Sequence, residues 1–113
     1  MIAYLRMVAA ECKQCKEALS YPGLELALLL PNGNEESVRV GRCGKCGKVY
    51  LDGFEEEFMG GCQTWLHGPF SDEEGPKIPE AIGKCPQPMN KHCACPSHKY
   101  VFDLVCGGKT GSA

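Results

Sequence analysis

Apolar residues come in short runs broken by turn signals, a rhythm that suits strands better than long helices. Residues 24–30 are nearly all apolar and read as a buried strand. The Pro31-Asn32-Gly33-Asn34 stretch that follows is a turn, since Asn-Gly favours positive φ. Residues 37–40 alternate and predict the return strand, which delivers the chain to Cys43. Val49, Tyr50 and Leu51 predict a further strand, ended by Asp52-Gly53. Upstream, residues 2–10 are apolar with one arginine and read as a strand or short helix; residues 16–19 predict one helical turn before the Tyr21-Pro22-Gly23 break. Downstream, residues 54–61 fit a short helix or an edge strand. Residues 66–83, with Gly68-Pro69, Gly75-Pro76, Pro79 and Gly83, read as a linker or long surface loop. Within it Pro79 opens a one-turn helix. Residues 100–105 give the clearest late strand, and residues 107–113 a frayed tail.

Such short elements leave a thin core. The chain has 113 residues, 14 of them glycine and 8 proline, and its hydrophobic fraction of 43% includes nine cysteines. Folds of this kind need staples, either disulfides or metals. The first residues show no basic start followed by a sustained apolar run, so no secretory leader is expected, and the longest apolar stretch is too short to span a bilayer. A cytoplasmic location follows as the expectation, where thiols stay reduced. The odd number of cysteines also disfavours a closed disulfide set. Metal is therefore the expected staple, and no membrane partner is expected.

The cysteine spacing supplies a ligand pattern. Cys12–Cys15 and Cys43–Cys46 are two Cys-x-x-Cys pairs separated by 27 residues. Each pair presents two sulfurs from one tight turn, and two turns complete the tetrahedral shell that structural zinc prefers. Iron is the competitor for the same sulfurs. A candidate second site draws on Cys62, Cys85, Cys93, Cys95 and His98. A four-thiolate set without the histidine, or a set with His98 or His92 replacing one cysteine, both fit, and plain burial of some of these thiols is the competing reading. Cys106 reads as a small buried hydrophobe, with completion of the second site in place of Cys62 as the alternative, and His67 as a loop residue.

The stretch Cys43-Gly44-Lys45-Cys46-Gly47-Lys48-Val49-Tyr50 resembles the knuckle of zinc ribbons and rubredoxins, a Cys-x-x-Cys-Gly pattern followed by an aromatic residue. The resemblance spans roughly residues 8–52 and implies that Gly47 takes a left-handed turn, letting backbone N–H groups face the sulfurs, while Tyr50 packs over the site. Cys12-Lys13-Gln14-Cys15-Lys16 departs from the pattern by lacking the glycine. The fold expected is a small metal-stabilised β-rich (α+β) unit. Residues 1–53 would form a zinc-ribbon-like lobe and residues 54–113 a Cys/His-rich lobe, packed with the first or separate.

Charge trims the functional options. The net charge is −2, and thiolate ligation at two sites would take it to about −5. That sign opposes non-specific nucleic-acid binding. Arg39, Arg42, Lys45 and Lys48 form a local basic cluster that reads either as a phosphate contact or as compensation of thiolate charge, the latter favoured by the acidic total. Residues 55–57 and 72–74 are acidic runs expected in solvent. Gly107-Gly108-Lys109-Thr110 fails as a phosphate loop because Asp103 occupies the earlier glycine position. The His-x-Glu and His-Glu-x-x-His elements of zinc enzymes are absent, so no catalytic residues are expected. The expectation is a small zinc-binding interaction module with a protein partner. One alternative is a redox protein, holding iron as rubredoxin does (though without its Cys-Pro-x-Cys) or cycling Cys12 and Cys15 as a dithiol. The other is a nucleic-acid-binding or transcription-machinery zinc ribbon.

Overall fold

The computed structural model describes residues 9–57 and 59–109, without the side chains of 108 and 109. The expectation for residues 2–10 therefore falls almost wholly outside it. Four strands, β1 (Glu25–Leu29), β2 (Glu35–Arg42), β3 (Val49–Glu56) and β4 (Cys62–His67), form one antiparallel meander in chain order. Two helices follow, α1 (Lys77–Lys84) and α2 (Pro96–Lys109). The result is a four-stranded sheet with helices, a small β-rich fold as expected.

Register fixes what each face carries, because directly opposed residues share a face. One face holds the rows Leu26–Val38–Gly53–Trp65, Leu28–Glu36–Glu55–Gln63 and Val40–Leu51–His67. The helices pack on it: Ile78 and Ile82 of α1 and Val101, Val105 and Cys106 of α2 close the main core over Leu26, Leu28, Val38, Val40 and Leu51. The other face carries Arg39–Asp52–Leu66 and Gly41–Tyr50, and the N-terminal knuckle settles there around Tyr50.

Several expectations change. Asp52-Gly53 does not end β3, which runs on through residues 54–56 as a central strand, buried from Val49 to Glu55. Asp52 tolerates this because Tyr21 Oη donates to its Oδ2 at 2.7 Å and Arg39 Nη2 at 3.2 Å. Gly53 is needed where it stands, since a Cβ there would lie 1.9 Å from the buried Glu36 Oε2. The lobe boundary expected after residue 53 thus falls inside a strand. Residues 66–83 are not a loop throughout: Leu66 and His67 close β4, and α1 occupies 77–84. Pro79 sits at the third helical position rather than the first, still within the turn whose N–H groups have no intrahelical acceptor.

The late strand expected at 100–105 is part of α2. Val101 and Val105, four apart, are the fully buried positions, whereas alternation would have buried 101, 103 and 105. Pro96 at the first position favours helix entry, and the helix carries the expected tail as far as Lys109. None of the described helices is long and apolar enough to cross a membrane.

Candidate metal centres

The two knuckles share one backbone geometry. In the first, Cys12 N–H donates to Glu17 O at 2.8 Å and Lys16 N–H to Cys12 O at 2.9 Å. In the second, Cys43 N–H donates to Lys48 O at 3.0 Å and Gly47 N–H to Cys43 O at 2.8 Å. Gly47 takes the left-handed turn at φ 78°, and Lys16 occupies the same place at φ 65°. So the missing glycine does not change the turn, and the helical turn expected at 16–19 is replaced by this knuckle and a bridge between Glu11 and Ala18. Lysine there bears a penalty of about 1–2 kcal/mol, offset in part by the roughly 0.5–1 kcal/mol of chain entropy that glycine forfeits. Lys16→Gly is therefore expected to raise stability by about 0.5–1 kcal/mol. Urea unfolding would read this as a higher midpoint, and a lower one would deny that the turn is strained.

A second bridge brings the knuckles together. Ser20 and Arg42 exchange N–H···O bonds of 2.9 Å each way, tying the exit of the first knuckle to the end of β2. The sulfurs of Cys12, Cys15, Cys43 and Cys46 then all lie within 4.8 Å of one another. Cys12 and Cys43 are buried while Cys46 is exposed. Cys12 Sγ and Cys46 Sγ stand 3.7 Å apart, far beyond a disulfide bond of about 2.05 Å, and none of the nine cysteines is bridged. Tetrahedral coordination with metal–sulfur bonds of about 2.3 Å sets its sulfurs about 3.7 Å apart. This group could hold a metal ion.

Its surroundings favour thiolates. Cys15 N–H points to Cys12 Sγ at 3.4 Å, and Lys45 N–H and Cys46 N–H point to Cys43 Sγ, each at 3.4 Å. Tyr50 Oη lies 3.3 Å from Cys12 Sγ while accepting from Lys13 N–H at 3.0 Å. The Tyr50 hydroxyl, with backbone N–H groups, pulls the Cys12 thiol down to about 6, and the Cys46 N–H lowers Cys43. Burial pushes Cys15 up to about 12, with its sulfur neighbours adding to the effect, and Tyr50 up to about 12. Hydrogen bonds to some sulfurs and burial of others thus split one cluster into lowered and raised thiols. Tyr50→Phe, which keeps the ring, is expected to weaken metal affinity about 10–100-fold. Competition with a chelating dye would measure it, and unchanged affinity would leave Tyr50 a packing residue.

The second group forms where α1 ends and α2 begins. The sulfurs of Cys85, Cys93 and Cys95 lie within 4.8 Å of one another and could hold a metal. Cys85 Sγ is 3.7 Å from Cys93 Sγ and 3.5 Å from Cys95 Sγ. Cys95 caps α2, its sulfur accepting the His98 N–H at 3.3 Å, and that N–H lowers its thiol. Burial raises Cys85 to about 11. The buried His98 turns Nδ1 to Cys85 Sγ at 3.4 Å and Nε2 to the Ala27 carbonyl at 2.7 Å.

Other candidates lie elsewhere. Cys62 is exposed on β4, at the sheet edge opposite β1, and so stands apart from the second group that β1 borders. His92 is exposed, and Cys106 is buried in the main core. His67 is no loop residue: it ends β4 and its Nε2 lies 2.7 Å from the carboxylate of buried Glu36. Arg39 stacks on the Tyr21 ring at 3.7 Å and pairs with Asp52; Lys48 pairs with Asp72 at 3.0 Å; Arg42 and Lys45 are exposed. Glu55 is buried rather than solvated, bonded by Trp65 Nε1 and Asn34 Nδ2 at 2.7 Å each. Sequence reasoning missed this buried polar row, whose one signal is the spacing of Gly53 and Glu55, two apart and so on one face of a strand.

No protein-family model, curated protein or solved structure matches this chain.

Proposed function

We propose that this protein is a small zinc-binding interaction module whose folded surface depends on a four-thiolate centre at Cys12, Cys15, Cys43 and Cys46. The observation that carries the reading is the convergence of four sulfurs from two matched knuckles, each braced by backbone N–H groups. An all-sulfur shell leaves no open position for substrate, which favours a structural over a catalytic ion. Zinc is the ion such a shell most commonly holds, with iron its rival.

The interaction role draws on a groove of about 550 Å³ beside the second knuckle, walled by Tyr21, Leu24, Phe70, Pro76 and Pro79 with Arg42 at its rim. Apolar walls with a cation at the edge suit a partner segment that is apolar and acidic. With Arg39 and Lys48 engaged in ion pairs, the basic cluster offers little to a phosphate backbone, so a protein partner is favoured over nucleic acid.

The test is native mass spectrometry with elemental analysis on protein purified without added metal. Bound zinc is the expected result. Iron, visible as colour, would replace this reading with electron transfer. A metal-free chain lighter by two hydrogens per bridged pair would overturn it in favour of disulfides.

A further inference from the structure

We propose that Cys85, Cys93, Cys95 and His98 form a second, closed zinc site in which His98 binds through Nδ1. It rests on the metal-binding reading above but uses a separate set of residues. A zinc shell with three sulfurs at about 2.3 Å and one imidazole at about 2.0 Å requires S···S separations near 3.7 Å and S···N separations near 3.5 Å. The protein places Cys85 Sγ 3.7 Å from Cys93 Sγ, 3.5 Å from Cys95 Sγ and 3.4 Å from His98 Nδ1. The imidazole stands outside the trio of sulfurs that share mutual 4.8 Å contact, so closing the shell brings Nδ1 in toward Cys93 and Cys95.

The orientation of His98 is that of a ligand. A metal-binding histidine places its other ring nitrogen against a carbonyl or carboxylate, which fixes the tautomer and leaves the ligating lone pair free. His98 Nε2 meets the Ala27 carbonyl at 2.7 Å. A carbonyl can only accept, so Nε2 carries the proton, and in the neutral ring Nδ1 presents its lone pair toward Cys85. Burial of His98 and Cys85 also suits a closed structural shell rather than one finished by water.

The competing fourth ligands fail on position. Cys62 lies on β4, three strands across from β1 at about 4.8 Å per step. Cys106 is eight residues beyond His98 on α2, about 12 Å along the helix axis. Local sequence explains the rest: Cys95 and His98 are the capping residue and third residue of one helix start, so a single turn delivers both.

The experiment is carried out on the full chain loaded with zinc. Native mass spectrometry is expected to count two ions, and long-range ¹H–¹⁵N correlation to show His98 protonated at Nε2 with a metal-shifted Nδ1. His98→Ala is expected to lower affinity for one ion by about 100-fold or more, beyond the 10–100-fold typical of an outer-shell partner. His98→Cys is expected to keep two ions and to move the cobalt-substituted absorption bands toward an all-sulfur pattern, and Cys62→Ser to keep two ions. A single ion in the wild type with no metal shift at His98 overturns the second site while leaving the first intact, and no ion overturns both. Two ions with His98 Nδ1 protonated, or with no metal shift, overturns the ligand assignment. That NMR reading on the wild type decides the matter even where His98→Ala does not fold.

Discussion

Stripping the metal with a chelator is expected to abolish the near-ultraviolet circular dichroism and most of the strand signal, and restoring zinc to bring both back. Beyond hydrogen bonds such as the Ser20–Arg42 bridge, the first knuckle has little packing to hold it in place. Its contacts are Cys12 and Leu19 against Cys43 and Tyr50, with Cys15, Tyr21 and Leu66 partly buried around them. That cluster is small, and two of its four buried members, Cys12 and Cys43, belong to the proposed ligand set. Structural zinc contributes an apparent 10–16 kcal/mol in peptides of comparable ligand type, against a total stability of about 5–15 kcal/mol for a typical domain. Loss of the ion therefore exceeds what this corner of the protein can supply by packing. Acid should act in the same direction, because a ligating sulfur must be deprotonated. The Cys12 thiol, held down to about 6 chiefly by the Tyr50 hydroxyl, contributes stability above its ordinary value of 9, and this is lost as pH falls through about 6. A native spectrum that persists after verified metal removal would refute the coupling of fold to ion.

His67→Ala is expected to destabilise the zinc-loaded protein by about 3–5 kcal/mol, the cost of breaking a buried pair by removing one partner. Glu36 lies in the same-face row as Leu28 and Glu55, beneath the helices, with its side chain 0% exposed and His67 12% exposed. The double substitution Glu36→Met with His67→Leu should recover much of the loss, since an apolar pair of similar volume removes the buried polar pair altogether. Urea unfolding with zinc in excess separates the two cases. If the single and double variants unfold at the same midpoint, the pair is not a coupled unit.

How far the sequence disclosed this architecture depends on which signals were local. The β1 strand, the Asn-Gly turn and the return strand were legible because hydrophobic runs and turn chemistry agreed. The four knuckle cysteines were legible because ligand spacing is a short-range pattern. The equivalence of Lys16 to Gly47 was hidden, since a left-handed lysine leaves no mark in composition. β3 passed unrecognised beyond Leu51 because Asp52 and Gly53 ordinarily stop strands. What rescues them is tertiary: Arg39 and Tyr21 for the aspartate, Glu36 above the glycine. α2 was mistaken for a strand because Tyr100-Val101-Phe102 and Leu104-Val105 are rich in β-formers. Only the burial of 101 and 105, decided by the sheet beneath them, selects the helix. Within the second site, proximity of Cys93, Cys95 and His98 in the chain was plain. The arrival of Cys85, and the exclusion of Cys62, depended on where the sheet edges fall.

Those edges carry a consequence of their own. β1 is an outer strand rich in leucine, and the backbone of Ala27 faces away from its neighbour. Its N–H donates to Pro88 O at 2.8 Å and its carbonyl meets His98. The cysteine-bearing segment thus lies along a strand that would otherwise invite another chain to pair with it. Detachment of that segment would bare a sticky template for self-assembly, so under the proposed second site a shortage of metal is expected to promote aggregation as well as unfolding.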